Sequence, residues 1–233
     1  MTDIQTILDT DRDLLLMLNG SDSLFLDNWM TWLTCGLTWI PLYVALLYLV
    51  IKNNETMPQI LLIVGCSLLC VAMADGVADF IVKPLVARWR PSNDPLLKYA
   101  VQVVGGVRGS DYGFFSAHAA NTFSIAVFFC LLVRSRILGT SLVVWSLVNC
   151  YTRMYLGLHY PLDILCGLLW GAAVGVAAYV VYYKVYSSIA PANNYISSQY
   201  TSTGYSLDDI DIVETVLVAT FIFTAIASVT ITY

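Results

Sequence analysis

The chain alternates long apolar runs with short polar breaks. Crossing about 30 Å of hydrocarbon takes roughly 20 residues, and by that measure about six runs qualify as spans. The first extends from near Trp29 to Ile51 and stops at Lys52-Asn53-Asn54-Glu55. The second covers about Ile60 to Val82, and the third Phe114 to Val133. A tight basic turn, Arg134-Ser135-Arg136, separates the third from a fourth at Ile137 to about Tyr151. The fifth begins at Pro161-Leu162 and continues to Tyr183; a polar stretch from Ser187 to Asp211 then precedes a sixth, Val216 to Tyr233. Between Thr2 and Leu18, Ile4, Ile7, Leu8, Leu14, Leu15, Leu16 and Leu18 are mixed with several aspartates, the pattern of an interfacial amphipathic helix. The pattern predicts an all-α polytopic transmembrane bundle. An amphipathic segment (1–24) precedes a membrane domain (25–186), a polar loop (187–211) and a C-terminal transmembrane helix (212–233).

Composition agrees. The 233 residues are 58% hydrophobic and 12% charged, against about 25% charged in soluble domains. The mean hydropathy is +0.73. So few charges cannot cover a soluble surface, which excludes an ordinary cytosolic enzyme, a disordered tail and a secreted disulfide scaffold. A net charge of −5 leaves no basic footprint for nucleic acid. Cys35, Cys66, Cys70, Cys130, Cys150 and Cys166 fall inside apolar runs and read as small hydrophobes, with no Cys-x-x-Cys pair to suggest a metal. The acidic first twenty residues do not resemble a cleavable signal peptide.

An ionisable side chain at the bilayer centre costs about 2.5–3.5 kcal/mol, so those retained near spans are paired or functional. Here they fall in three blocks: Lys83 to Pro91 closing the second run, Phe115-Ser116-Ala117-His118 opening the third, and Thr152-Arg153, His159 and Asp163 between the fourth and fifth. Counting crossings puts all three blocks on one membrane face, whichever way the chain is inserted. Lys83, Arg90 and Arg153 then supply cations suited to a phosphate or diphosphate. Ser116 adds a hydroxyl, and the amides opening the third run add donors. The chain's two histidines, His118 and His159, share this pocket. One can attack phosphorus while the other protonates the leaving oxygen. Asp163, four residues past His159, can accept its Nδ1–H and leave Nε2 free. Each residue also has an ordinary use, such as a snorkelling cation or a helix N-cap; the combination is what points to chemistry. Asp75 and Asp79 precede Lys83 at four-residue steps, with Asp79 expected to pair with Lys83 and position it. Asn121 lies about one turn beyond His118, placed to bond a backbone group or line the pocket.

Lys83-x6-Arg90-Pro91, Phe115-Ser116-Ala117-His118 and Thr152-Arg153-x5-His159-x3-Asp163 resemble the signature of the type 2 phosphatidic acid phosphatase superfamily: KxxxxxxRP, PSGH and SRxxxxxHxxxD. The resemblance covers about residues 25 to 185. It implies His159 as the nucleophile forming a phosphohistidine, Asp163 as its orienting group and His118 as general acid. Lys83, Arg90, Ser116, Ala117 and Arg153 would bind the phosphoryl oxygens, with no metal and no cofactor. Three positions depart from the pattern: Phe115 stands for Pro, Thr152 for Ser, and Ala117 for a Gly whose amide approaches the phosphate.

The resemblance also implies a lipid phosphate substrate drawn from one leaflet. Undecaprenyl diphosphate ranks first because the chain is compact; phosphatidylglycerol phosphate, phosphatidate and lipid A phosphates follow. The short basic turns at Lys52 and Arg134-Ser135-Arg136 read as cytoplasmic. That makes the site outward-facing, and the resemblance implies a bacterial inner-membrane protein. Three rival readings stand: a lipid phosphotransferase, a membrane-binding protein with a degenerate site, and a metal-dependent hydrolase. The loop from Ser92 to Gly113 is unassigned, its glycines suggesting flexibility near the substrate mouth.

Overall fold

A computed structural model describes residues 2–189 and 198–230. Residues 190–197 of the expected polar loop and 231–233 of the sixth run lie outside the described residues. The described chain is helical, with two isolated antiparallel bridges and no sheet. The elements in order are α1 (Thr2–Leu18), α2 (Leu24–Thr34), α3 (Ile40–Lys52), α4 (Met57–Gly76), α5 (Lys83–Val86), α6 (Ala117–Val133), α7 (Arg136–Tyr155), α8 (Pro161–Ile189) and α9 (Leu207–Thr230).

Among the described residues, three helical stretches are long and apolar enough to cross a membrane: Met57–Val86, Pro161–Ser188 and Leu207–Thr230. The expected first span is broken instead. α2 and α3 meet at 68° around a 3-10 turn, Gly36–Trp39, the geometry of a broken span or of a re-entrant loop. Cys35 is extended there, and Pro41 sits in the first turn of α3, where its missing N–H costs nothing. α6 is apolar but only 17 residues long, and α7 falls short of the same criteria. α9 starts earlier than the hydropathy of its core suggests, because Asp208 and Asp209 occupy its first turn, where the helix dipole favours carboxylates.

Local chemistry explains most boundaries. Thr56 and Gln59 form a capping box that opens α4 with Pro58 in its first turn. Arg134 takes a left-handed conformation after α6, and Ser135 caps α7, which makes the basic turn tight. Between α4 and α5 the helix relaxes into a π-helical stretch, Val77–Val82, just ahead of Pro84. Such stretches occur often at functional sites.

The packing that fixes the site is between α6 and α8. A Cβ at Gly167, Gly171 or Gly175 would lie 2.6 Å from the carbonyl oxygen of Ser116, Ala120 or Ser124 respectively. Three glycines at four-residue steps thus let the two backbones touch along two helical turns, the way small residues bring membrane helices together. Because the contact begins at Ser116, it registers the start of α6 against the start of α8. At the far end of the bundle, Asn53 accepts the Ser206 N–H and Thr203 donates to the Val133 carbonyl, tying the start of α9 to the α3–α4 and α6–α7 turns.

Candidate active site

The three polar blocks converge at one end of the bundle. Ser116 N–H donates to the Asp163 carbonyl at 3.0 Å, joining the second block to the third. Arg90 Nη1 lies 3.0 Å from His159 Nε2 and 3.3 Å from the Leu158 carbonyl oxygen, joining the first to the third. Since a guanidinium only donates, Nε2 is the unprotonated ring nitrogen and the proton of the neutral imidazole sits on Nδ1. Asp163 Oδ2 lies 3.6 Å from that Nδ1, beside it but beyond hydrogen-bond length, and accepts the Tyr160 N–H at 3.1 Å.

His159 and Asp163 are buried, as is Arg90. Burial first, then the charges of Arg90, Arg153 and Lys83, hold the His159 imidazole well below its ordinary pKa. It is therefore neutral at physiological pH. Burial likewise lowers the pKa of Arg90, which has no carboxylate partner within ion-pair distance and whose Nε has no hydrogen-bond partner. Arg153 belongs to the last turn of α7 rather than to the connection that follows it. Its Nη1 donates to Thr34 Oγ1 at 2.8 Å and its Nε is unpartnered. Lys83 pairs with Asp79, as expected, and Asn121 donates to Asp75 at 2.6 Å.

Ser116 is the N-cap of α6: its Oγ accepts the Ala119 N–H at 3.4 Å and keeps its own proton to donate. Ala117 is the first helical residue, and its φ is not positive, so the methyl group causes no strain. Its N–H is one of the helix's first-turn donors that lack an intrahelical acceptor. His118 follows, exposed, within electrostatic reach of His159 and Arg153. Thr152 does not contribute its hydroxyl: the group is buried and donates to the Asn149 carbonyl of its own helix. Among the described residues no group of three His, Cys, Asp or Glu side chains is arranged to hold a metal.

The unassigned loop is ordered against the site. Trp89 and Tyr112 form an antiparallel bridge, with Arg90 N–H donating to Asp111 O and Gly113 N–H to Arg88 O. Arg90 Nη2 reaches Ser110 Oγ at 3.3 Å. A Cβ at Gly109 would fall 2.6 Å from Arg90 Cζ, and one at Gly113 would fall 3.0 Å from Arg90 Cγ. These glycines serve close approach rather than flexibility.

Sequence reasoning passed over Arg88, inside the six-residue spacer of the first block. Arg88 Nη1 donates to Asp163 Oδ1 at 2.7 Å and Nη2 to Asp11 Oδ2 of α1 at 2.5 Å. Burial opposes its charge, but Asp163 and Asp11 outweigh that and raise its pKa above the ordinary value. Asp11 carried a signal that was overlooked. At 100° per residue it lies in the middle of the apolar face formed by Ile4, Ile7, Leu8, Leu15 and Leu18.

Comparisons with known proteins identify the family. A family model described as the PAP2 superfamily matches residues 61–187. A lipid A 4'-phosphatase of Bacteroides thetaiotaomicron is 39% identical over 78% of this chain and 81% of its own length. One of Porphyromonas gingivalis is 35% identical over 77% of this chain and 75% of its own. The undecaprenyl-diphosphatase BcrC of Bacillus subtilis is 27% identical over 43% of this chain and 50% of its own. No solved structure matches. With three motif blocks gathered into one pocket and a family model spanning more than half of the sequence, the chain belongs to the PAP2 superfamily.

Proposed function

We propose that this protein is a membrane-embedded lipid phosphatase that releases phosphate from a lipid A-type phosphate monoester through a phosphohistidine at His159. The observation that carries the reading is the pairing of His159 Nε2 with Arg90 at 3.0 Å, with Asp163 on the opposite side of the ring. A phosphoryl oxygen that takes over the Arg90 Nη1–H frees the Nε2 lone pair and brings phosphorus beside an unprotonated, neutral nitrogen. Nε2 attacks phosphorus as the bond to the leaving sugar oxygen breaks, and His118 gives that oxygen its proton. Water, deprotonated by His118, then attacks the phosphohistidine and frees Nε2. Arg90, Arg153, Lys83, the Ser116 hydroxyl and the Ala117 N–H bind the phosphoryl oxygens as charge builds on them. As the imidazole gains positive charge, the 3.6 Å separation from Asp163 closes to a hydrogen bond; such bonds are often long in unliganded sites.

The lipid A assignment rests on the two relatives that align over most of both chains. Undecaprenyl diphosphate stays the second reading, supported by the shorter similarity to BcrC. In the membrane, we count the bent α2–α3 pair as one crossing and place α6 and α7 as further crossings within the bundle, giving six. α1 lies in the interface with Ile4, Ile7, Leu14 and Met17 exposed. The turns bearing Lys52, Arg134 and Arg136 are at the end away from the site, and the positive-inside rule supports reading the site as outward-facing in a bacterial inner membrane.

The test is phosphate release by purified protein from lipid A, undecaprenyl diphosphate, phosphatidate and phosphatidylglycerol phosphate, with chelator present. Lipid A is expected to be hydrolysed fastest. Substantial turnover by folded His159→Ala would overturn the mechanism, and preference for another lipid would overturn the substrate.

A further inference from the structure

α1 reaches the site from outside the family's motif blocks. Its Asp11 and Leu15, one turn apart, are buried, Leu15 against Leu97, Val101 and Tyr160. Asp11 Oδ2 takes Arg88 Nη2, and Oδ1 accepts the Leu162 N–H at 2.8 Å in the first turn of α8. Arg88 lies over the Tyr160 ring, its Cζ 4.0 Å from the centroid, and Tyr160 OH is anchored on Asp94 at 2.7 Å. The guanidinium is thus held by Asp11 and the Tyr160 ring, and its third contact is Asp163 Oδ1.

We propose that Arg88 is a positioning residue that aims Asp163 at His159, and that Asp11 of α1 sets how strongly it does so. By occupying Oδ1, Arg88 fixes the carboxylate so that Oδ2 faces His159 Nδ1. One guanidinium between two carboxylates leaves an excess negative charge, which the imidazole cancels as it becomes cationic on bonding to phosphorus. Without Asp11, Arg88 would be balanced by Asp163 alone and the site would offer less to that cation. The amphipathic helix is therefore part of the phosphorylation machinery. This inference rests on the phosphohistidine reading.

The experiment uses the full chain in detergent micelles, with trace lipid A mixed into excess enzyme so that a single turnover is followed at saturation. That rate constant does not depend on how many chains are folded, so a merely structural role would leave it unchanged while steady-state turnover fell. Arg88→Gln should slow it roughly 100-fold, the scale of misplacing a reacting group. Asp11→Asn, which keeps an acceptor for the Leu162 N–H, should slow it about tenfold by the same effect. The double variant should be no slower than Arg88→Gln alone, since Asp11 acts through Arg88. An unchanged rate constant in Asp11→Asn, or additive losses in the double variant, would overturn the proposal; should Arg88→Gln not fold, Arg88→Lys takes its place. His159→Ala is run alongside. If it turns over, the phosphohistidine reading fails and this inference with it; if it is inactive while Asp11→Asn is unimpaired, only this inference fails.

Discussion

Arg88 and Arg90 stand two residues apart on one short extended segment, yet they live in opposite electrostatic settings. Arg88 is held between two buried carboxylates, Asp11 and Asp163, and stacked on Tyr160. Arg90 is the more deeply buried of the two, yet its side-chain hydrogen bonds among the described residues go to neutral groups: the His159 ring, the Leu158 carbonyl and the Ser110 hydroxyl. A buried cation without a counter-charge is expensive, so Arg90 lowers the stability of the fold on its own account. A phosphate dianion would repay that cost; Arg88 has no such debt. The contrast separates a cation left free of carboxylates, as the proposed phosphate site requires, from one paired to two carboxylates that position His159 in the inference above.

The sharpest way to break this contrast is at the atom it serves. His159→Ala should lower kcat/KM by more than about 10⁴-fold, the scale seen when a nucleophilic constellation loses a member, measured as phosphate release from lipid A. Arg90→Met should cost roughly 10²–10³-fold, as loss of a preorganised donor to developing charge does. The stabilities should then divide. Arg88→Met leaves two carboxylates buried without their partner and should destabilise the fold by about 3–5 kcal/mol. Arg90→Met should leave it unchanged or more stable. Thermal unfolding in detergent checks both, and a loss of stability in Arg90→Met as large as in Arg88→Met would erase the distinction.

How much of this was legible beforehand follows from where the information lies. Lys83, Arg90, His118, His159 and Asp163 were readable because their spacings are local and because charges in apolar runs stand out. Their convergence followed from counting crossings, and the α6–α8 contact that enforces it was written in Gly167, Gly171 and Gly175, a periodicity hidden among many small apolar residues. The break between α2 and α3 was missed because the run is uniformly hydrophobic; Gly36 and Pro41 were the only marks. Arg88 was hidden inside a spacer, and its partner Asp11 is 77 residues away. A pairing at that distance leaves no local pattern, though a carboxylate centred on an apolar helix face shows that something must meet it.

The pH profile sharpens the contrast further. Because burial and the charges of Arg90, Arg153 and Lys83 lower the His159 pKa, its imidazole sheds its proton at lower pH than usual. The acid limb of kcat/KM contributed by this group should therefore lie below the ordinary histidine value of about 6.5. Lys83→Met removes one of those charges, stabilises the protonated ring and should move the limb upward. Lys52→Met, in the turn at the opposite end of the bundle, should not. Any titration of the substrate phosphate is common to all three proteins, so the difference between profiles isolates His159.

The smallest effect tests the loop that lies on Arg90. Gly109 has no positive φ, so alanine there strains nothing in the backbone; its methyl group simply arrives 2.6 Å from Arg90 Cζ. Either the guanidinium shifts from His159 or the loop lifts by a fraction of an ångström. Both alter phosphate placement, while Arg88 is held by separate partners, Asp11 and Tyr160. Gly109→Ala should thus reduce kcat/KM by about threefold to tenfold, a partial version of the cost of displacing a substrate-positioning group, with an unchanged unfolding midpoint. An equal fall in both would mean that the loop braces the fold rather than the phosphate-facing arginine, and would join the two arginines into one structural unit.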